Sequence, residues 1–311
     1  MNSPKISVVM PAYNHERYVG VTVESVLNQT FTDLELVVID DGSTDRTGEV
    51  VQSFSGDKRL RYIKQENQDA YNALNRGMSE AKGEFIAIIN SDDIYEPTRL
   101  ERLMAEQQKT GAACLFTDVQ PVDSAGARIT SPNHGWLIWH EKNRKLYFEH
   151  NDLYTAFLNG NFLVTSSNFF FTREVYEKTG GFAALRYLHD YDYIFRIILG
   201  FPGKVVYLHD AKLVNYRIHA SNTLGQGAIV AREQDLLVIE KYMLAGLPEE
   251  YKKAVAIGSN RLRVLERELC VERNRAATAN ACGLSGFRCP GIMVLKKMGE
   301  LMRRLAAKFR R

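Results

Sequence analysis

Two pairs of neighbouring carboxylates, Asp40-Asp41 and Asp92-Asp93, each sit directly after a short apolar run, Leu36-Val37-Val38-Ile39 and Phe85-Ile86-Ala87-Ile88-Ile89. Short runs rich in Val and Ile, separated by helix-like stretches, read as buried parallel strands. Ligands of such open sheets bind just beyond the carboxyl ends of the strands, so both pairs are expected to face one crevice. Four carboxylates converging there repel one another unless a cation or hydrogen-bond donors compensate. A nucleoside diphosphate held through a divalent metal supplies both.

The elements that would position these acids follow from periodicity. Ile6 to Met10 is a strand broken by Pro11, followed by a helical pattern at Tyr18, Val21, Val23, Val26 and Leu27. Leu34 to Ile39 is a second strand, after which Ser43 or Thr44 is placed to cap a helix running through Phe54. Leu60 to Ile63, a helix from Ala70 to Lys82 ending at Gly83, and the strand Phe85 to Ile89 complete a short-pitch alternation. That alternation predicts right-handed crossovers and a doubly wound, mostly parallel α/β sheet. Pro97 opens another helix, and Ala113 to Phe116 is another strand. Residues 119–162, which hold Trp136 and Trp139, show no clear period and read as a long functional loop. Strands then follow at Asn168 to Phe171, Val205 to Leu208 and Leu213 to Arg217, with helices from Arg173 and near Asp190, whose inner face is Tyr193, Ile194, Ile197 and Ile198. From Gly227 onward the pattern is helical, with a hinge at residues 282–286.

Composition narrows the class. With 311 residues, 45% hydrophobic and 25% charged, the chain is an ordinary globular protein with room for one large domain and an appendage. The net charge of +3 is unevenly spread: residues 287–311 hold eight Lys/Arg against Glu300, a local +7 that leaves −4 for residues 1–286. An acidic body with a basic tail argues against a nucleic-acid groove and for an anionic surface under the tail. Met1 to Lys5 lack the apolar segment and small-residue cleavage site of a secretory leader, and no apolar stretch approaches the ~20 residues that cross a bilayer. A cytoplasmic protein lying on the inner face of the cell membrane is therefore expected. Cys114, Cys270, Cys282 and Cys289 lack paired spacing and read as free thiols. Phosphate-binding Gly-x-x-x-x-Gly-Lys, Gly-x-Gly-x-x-Gly after the first strand, His-Glu-x-x-His and Gly-x-Ser-x-Gly motifs are missing, which disfavours Walker-type kinases, dinucleotide dehydrogenases and serine hydrolases.

In order along the chain stand Ser7-Val8-Val9-Met10-Pro11-Ala12-Tyr13-Asn14, Glu24 to Phe31, Leu36 to Asp45, Ala73-Leu74-Asn75-Arg76-Gly77, Ala81 to Ile86, Asn90-Ser91-Asp92-Asp93, Gly180-Gly181-Phe182 and Asp190-Tyr191-Asp192. Together they closely resemble the inverting nucleotide-sugar glycosyltransferases of family 2, of GT-A type, which include polysaccharide-assembling enzymes. The resemblance covers roughly residues 5–225 and implies a GT-A domain over 1–225, a helical extension over 226–286 and a basic amphipathic tail helix over 287–311.

What the resemblance implies for the site can be carried over residue by residue. Pro11, Ala12, Tyr13 and Asn14 line the nucleobase pocket, Asp41 accepts a hydrogen bond from the base and Glu16 reaches the ribose. Ser91 and Asp92 bind the nucleotide sugar, Asp92 at the ribose, and Asp93 touches a divalent Mg²⁺ or Mn²⁺. Many relatives carry Asp-x-Asp here; Ser91-Asp92-Asp93 keeps the last carboxylate and gives up the first. Asp190 is the general base for an acceptor hydroxyl, although a helix-start carboxylate favoured by the dipole has the same position. His189 stands where relatives usually carry an acid, and it either stabilises the ionised base or meets the acceptor, as Trp136 and Trp139 do. Arg217 clamps the diphosphate and His219 is a metal or phosphate ligand, with a structural strand-end histidine as the alternative.

The expected activity is metal-dependent transfer of a sugar from a nucleotide-diphosphate donor, a UDP-sugar foremost, to a glycan or glycolipid hydroxyl. A sugar-nucleotide nucleotidyltransferase would need a basic Gly-rich loop where Pro11-Ala12-Tyr13-Asn14 stands. A non-catalytic binding module would have lost Asp190 or Asp93. In the tail, Val294, Leu295, Met298, Leu301, Met302, Leu305 and Phe309 fall at helical spacing among the basic residues. Anionic lipid, the protein's own core and a second subunit of a homodimer compete for that face.

Overall fold

The computed structural model describes residues 3–219, 222, 237–238 and 241–242. All of them lie in the first of the two units into which the chain divides, Met1–Met243. The expected boundary at 225/226, the tail helix and Cys270, Cys282 and Cys289 lie outside the described residues.

The first half is the predicted alternation. β1 (Ile6–Ala12), α1 (Val19–Leu27), β2 (Leu34–Asp40), α2 (Thr47–Gln52), β3 (Leu60–Lys64), α3 (Ala70–Glu80) and β4 (Phe85–Ile88) follow in sequence. Every residue of β1, β2 and β4 is buried, as continuous apolar runs covered on both faces must be. The second half comprises β5 (Ile94–Tyr95), α4 (Arg99–Thr110), β6 (Cys114–Val122), α5 (Gly135–His150), α6 (Leu153–Asn159), a 3-10 turn at Ser166–Asn168, β7 (Phe170–Thr172), α7 (Arg173–Thr179), α8 (His189–Gly200) and β8 (Val205–Arg217). One eight-stranded sheet results, in the order β3-β2-β1-β4-β7-β6-β8-β5. β3, β2, β1 and β4 are parallel, β7 is antiparallel to both neighbours, β6 and β8 are parallel, and β5 is an antiparallel edge.

Alternate strand residues feed two apolar clusters on opposite faces. Val8, Met10, Leu36 and Val38 pack with Val19, Val23 and Leu100, while Val9, Ile86 and Ile88 pack with Leu74, Phe171 and Ile194. α3 lies so close to the sheet that a Cβ at Gly77 would sit 2.2 Å from Val9 Cγ1.

Four local expectations are corrected. The two last strands are one, β8, because register shifts against β6 around Asp118 absorb the exposed His209-Asp210 step. The stretch 119–162 is a loop only in part: it completes β6, runs irregularly over 123–134, and then forms α5 and α6. Its period was hidden because α5 buries only His140 and Asn143 fully and leaves Ile138, Trp139 and Phe148 exposed. Neither Ser43 nor Thr44 caps α2, since Asp45 Oδ1 accepts the Thr47 N–H at 2.9 Å while Ser43 Oγ accepts from Asn14 N. α3 stops at Glu80 because the N–H groups of Lys82 and Gly83 turn to Ser7 Oγ at 3.0 and 2.8 Å.

Candidate active site

β1 and β2 end in register at Ala12 and Asp40, β4 ends beside them at Ile88, opposite Val9, and a cleft of about 540 Å³ opens beyond these carboxyl ends. Pro11, Ala12, Tyr13 and Asn14 form one wall as the chain leaves β1. Asn14 takes a left-handed conformation, φ 51°, which asparagine tolerates. Its N–H donates to Ser43 Oγ at 3.1 Å and its Oδ1 accepts from Thr44 N at 2.9 Å. The loops after β1 and β2 are thereby knit together, with the Tyr13 ring 46% exposed at the mouth.

Only one acid of the first pair reaches the cleft. Asp40 is fully buried and accepts from Ser43 N at 2.8 Å and from the Tyr62 hydroxyl. Asp41 lines the cleft, its Oδ1 fixed by Gln65 Nε2 at 2.8 Å and Gln68 N at 2.9 Å. Glu16 lies outside the lining, with Oε2 accepting from Arg46 N and Nε at 3.0 and 3.2 Å.

The second pair divides the same way. Asp93 is 1% exposed: Oδ2 accepts from Ser167 Oγ at 2.5 Å and Thr165 Oγ1 at 3.1 Å, and Oδ1 from Arg217 N at 3.0 Å. Burial, with the neighbouring Asp92 charge, pushes its carboxyl well above the usual range. Asp92 and Ser91 line the cleft. Burial opposes ionisation of Asp92, but the His219 hydrogen bond and the fields of His15 and His219 outweigh it and hold the carboxyl below the usual range. His219 Nε2 lies 3.0 Å from Asp92 Oδ2, and His15 Nδ1 2.7 Å from Ser91 Oγ. One potential ligand atom from each of His15, Asp92 and His219 falls within 4.8 Å of the others. Two imidazoles and a carboxylate suit a divalent transition ion, so the residues present fit a metal. Asp93, expected at the metal, is placed behind this group, and His15, which has no distinguishing spacing in the sequence, is placed in it.

Arg217 is 3% exposed and absent from the lining. Its Nε donates to Asp92 O at 2.8 Å, its Nη1 to Ser124 O at 3.1 Å, and its guanidinium lies 4.9 Å from the centre of the Tyr18 ring. It braces the Asp92 turn.

His189 and Asp190, at the start of α8, also line the cleft. Asp190 Oδ1 accepts from Tyr191 N at 2.7 Å and Oδ2 from Asn161 Nδ2 at 3.3 Å. Burial raises its pKa above the usual aspartate value; the His189 field and these donors offset only part of that. His189 Nδ1 lies 3.1 Å from Leu185 O. Asp192 faces elsewhere, toward Arg196, Lys241 and Tyr242. The Gly180-Gly181-Phe182 motif is held against α3, since Asn75 donates to Phe182 O at 2.9 Å and accepts from Phe182 N at 2.6 Å. Trp136 and Trp139 do not line the cleft. Trp136 stacks on His140 and on Tyr216, with centroids 5.0 and 6.0 Å away, and only Tyr216 reaches the lining; Trp139 is 42% exposed. The sequence does not single out Asn161 and Thr165, which lie in or beside the aperiodic stretch 119–162, nor Tyr216, which sits in a legible strand with nothing to mark it as a cleft residue.

The Glycosyl transferase family 2 sequence model matches residues 7–180. Chondroitin synthase from Escherichia coli is 29% identical over 264 residues, covering 84% of this chain and 36% of that protein, so the chain spans about a third of its length. The structure of S. aureus TarS 1-349 in complex with UDP-GlcNAc superposes with TM-score 0.61 at 20% identity, over 80% of this chain and 69% of that one. Mannosyltransferase PcManGT from Pyrobaculum calidifontis, in complex with GDP-Man and Mn²⁺, gives TM-score 0.56 at 18% identity, over 97% and 81%. The likeness of these two structures bears on the fold alone, but the family match takes in more than half of the sequence and carries the loop after β1 and both acidic pairs: the chain belongs to glycosyl transferase family 2.

Proposed function

We propose that the protein is an inverting glycosyltransferase that moves a sugar from a nucleotide-diphosphate donor, a UDP-sugar foremost, to a hydroxyl of a glycan or glycolipid acceptor. The observation that carries this reading is that Asp41, Asp92 and the buried Asp190 all line one cleft. Asp41 and the Pro11–Asn14 loop take the base, and Asp92 with His219 takes a divalent metal. When bound, that ion neutralises the diphosphate and its departing charge. Asp190 accepts the proton of the acceptor hydroxyl as its oxygen attacks the anomeric carbon. The bond from that carbon to the diphosphate oxygen breaks, and the nucleoside diphosphate leaves with the electron pair. A raised pKa suits Asp190 to this work, because a base poised nearer the operating pH transfers protons more effectively. Polysaccharide synthases among the relatives, and nucleotide sugars in the complexes of similar fold, support the class of donor and acceptor.

Among the described residues no helix is long and apolar enough to cross a membrane. The basic amphipathic sequence of residues 287–311 supports a peripheral seat on anionic lipid at the cytoplasmic face. A panel of nucleotide sugars, scored for metal-dependent donor hydrolysis by the protein and by Asp190→Asn, tests the enzymatic reading. One donor should stabilise both proteins and be turned over by the unaltered one; turnover retained in Asp190→Asn removes the assigned base. For the tail, deletion of residues 287–311 should abolish sedimentation with anionic liposomes. Equal sedimentation with and without the tail rejects the membrane seat in favour of a second subunit or the protein's own core.

A further inference from the structure

We propose that His15 is a third protein ligand of the metal site, so that the chain alone, before any nucleotide arrives, holds a divalent ion of the imidazole-preferring kind: Mn²⁺, Co²⁺ or Zn²⁺ ahead of Mg²⁺. This rests on the metal-dependent reading above and goes past it, because a site of carboxylate oxygens would wait for the diphosphate to complete its shell.

The donor set comes first. The oxygens of Asp93 are occupied by Ser167, Thr165 and the Arg217 N–H, so the second acidic pair contributes one carboxylate, not two. Two imidazoles join it, His219 with Nε2 at 3.0 Å from Asp92 Oδ2, and His15, with all three potential ligand atoms within 4.8 Å of one another. Ligand nitrogens and oxygens lie about 2.0–2.2 Å from an ion of this kind, so atoms on opposite sides of it are at most about 4.4 Å apart. A few tenths of an ångström of side-chain movement close the site. Mg²⁺ is bound through oxygen and dehydrates reluctantly. Nitrogen donors favour the later first-row ions, and two histidines with one carboxylate leave coordination positions open. Those positions are where diphosphate oxygens would enter.

Orientation is the second part. Ser91 Oγ holds the His15 ring through Nδ1 at 2.7 Å. Tyr18 stacks on His219 with centroids 4.8 Å apart, meets His15 edge-on at 6.0 Å, and is itself covered by the Arg217 guanidinium. Thr22 Oγ1 donates to Ser91 O at 3.0 Å and Asp93 O at 2.8 Å, and Arg217 Nε to Asp92 O, so the turn that carries the carboxylate is tied on both sides. Ligands fixed by surrounding hydrogen bonds and packing bind with little reorganisation.

The test is metal binding by the full chain without nucleotide. Co²⁺ is titrated with its visible absorption as the signal, and Mn²⁺, Zn²⁺ and Mg²⁺ are scored by competition. The unaltered protein should bind Co²⁺ and Mn²⁺ at least about tenfold tighter than Mg²⁺, and His15→Ala and His15→Gln should each weaken Co²⁺ at least about tenfold, the low end of what even outer-shell losses cost. Thermal melts of the variants in chelator, matching the unaltered protein, establish that both fold. Unchanged Co²⁺ affinity in both variants, or Mg²⁺ competing on equal terms, overturns the proposal. Binding that appears only when UDP is added overturns the resident site while sparing the metal-dependent reading. If no ion binds with or without UDP, that reading fails too.

Discussion

The Tyr242 hydroxyl donates to Asp192 Oδ1 at 2.6 Å, while its ring stacks on Phe195 with centroids 4.8 Å apart. A residue beyond β8 is thus fastened to α8 two positions after Asp190. Lys241 Nζ reaches the same oxygen at 2.7 Å, and Arg196 Nε reaches Oδ2 at 2.7 Å. With three donors on a 1% exposed carboxylate, Asp192 anchors the helix and is a poor base.

Tyr242→Phe keeps the stacked ring and removes one hydrogen bond to a charged group, so it should lower unfolding free energy by about 1.5–3 kcal/mol in urea titration. Burial opposes ionisation of Asp192, but its bonds to Lys241 and Tyr242 and the Arg196 charge outweigh that and set its folded pKa below the ordinary value. Its contribution is therefore fully present above the unfolded pKa of ~3.9 and is lost as pH falls through the lower folded value. Unfolding curves for protein and variant should converge only below about pH 4; a constant difference down to pH 2 would contradict the assignment.

Asp190→Asn should bind donor normally and lose transfer by roughly 10² or more, the scale of a general base. Because desolvation raises the Asp190 pKa, the acid limb of the pH–rate profile should lie above the ordinary aspartate range. Asn161→Ala withdraws a donor to the ionised carboxylate and should move that limb to higher pH. An unmoved limb would show that the proton acceptor is another group.

Strand-then-acid order made the first half of the fold and the cleft's position legible, because β1, β2 and β4 are continuous apolar runs whose burial on both faces leaves no other reading. The residue pattern alone does not separate the acids of a pair; the resemblance singles out Asp41 in the first but sends both Asp92 and Asp93 to the ligand in the second, and only Asp92 lines the cleft. Adjacent residues diverge, and only the partners decide: Tyr62 takes Asp40 inward, and Ser167 and Thr165 take Asp93 inward. His15 was hidden for a related reason, since its neighbours Ser91 and His219 are 76 and 204 residues away in the chain. α5 escaped notice because its apolar side chains point partly to solvent, which erases the period that announces a helix.

Gly77→Ala should cost about 1–3 kcal/mol, the range for overpacking a well-filled core. The new methyl would meet Val9 Cγ1 at 2.2 Å and Ile39 Cγ1 at 3.3 Å, on strands buried on both sides and unable to retreat. Alanine's better helix propensity returns at most about 1 kcal/mol. A melt at or above the unaltered protein's would mean that α3 can lift from the sheet.

Asp41→Ala should weaken UDP binding by about 10- to 100-fold, as expected for a hydrogen bond to a charged group. The carboxylate is held ready for a base: Gln65 and Gln68 fix Oδ1, and the Asp41 N–H is tied to Ala12 O at 2.8 Å, so the loop after β1 and the acid after β2 move as one piece. Asp41→Asn offers an amide of the same shape and separates charge from form. It should lose nearly as much affinity if the base donates an N–H to Asp41, and little if Asp41 merely shapes the loop. Calorimetry with UDP on both variants, beside melts without ligand, decides between these outcomes. Equal UDP affinity in Asp41→Ala and the unaltered protein would place the base elsewhere in the cleft.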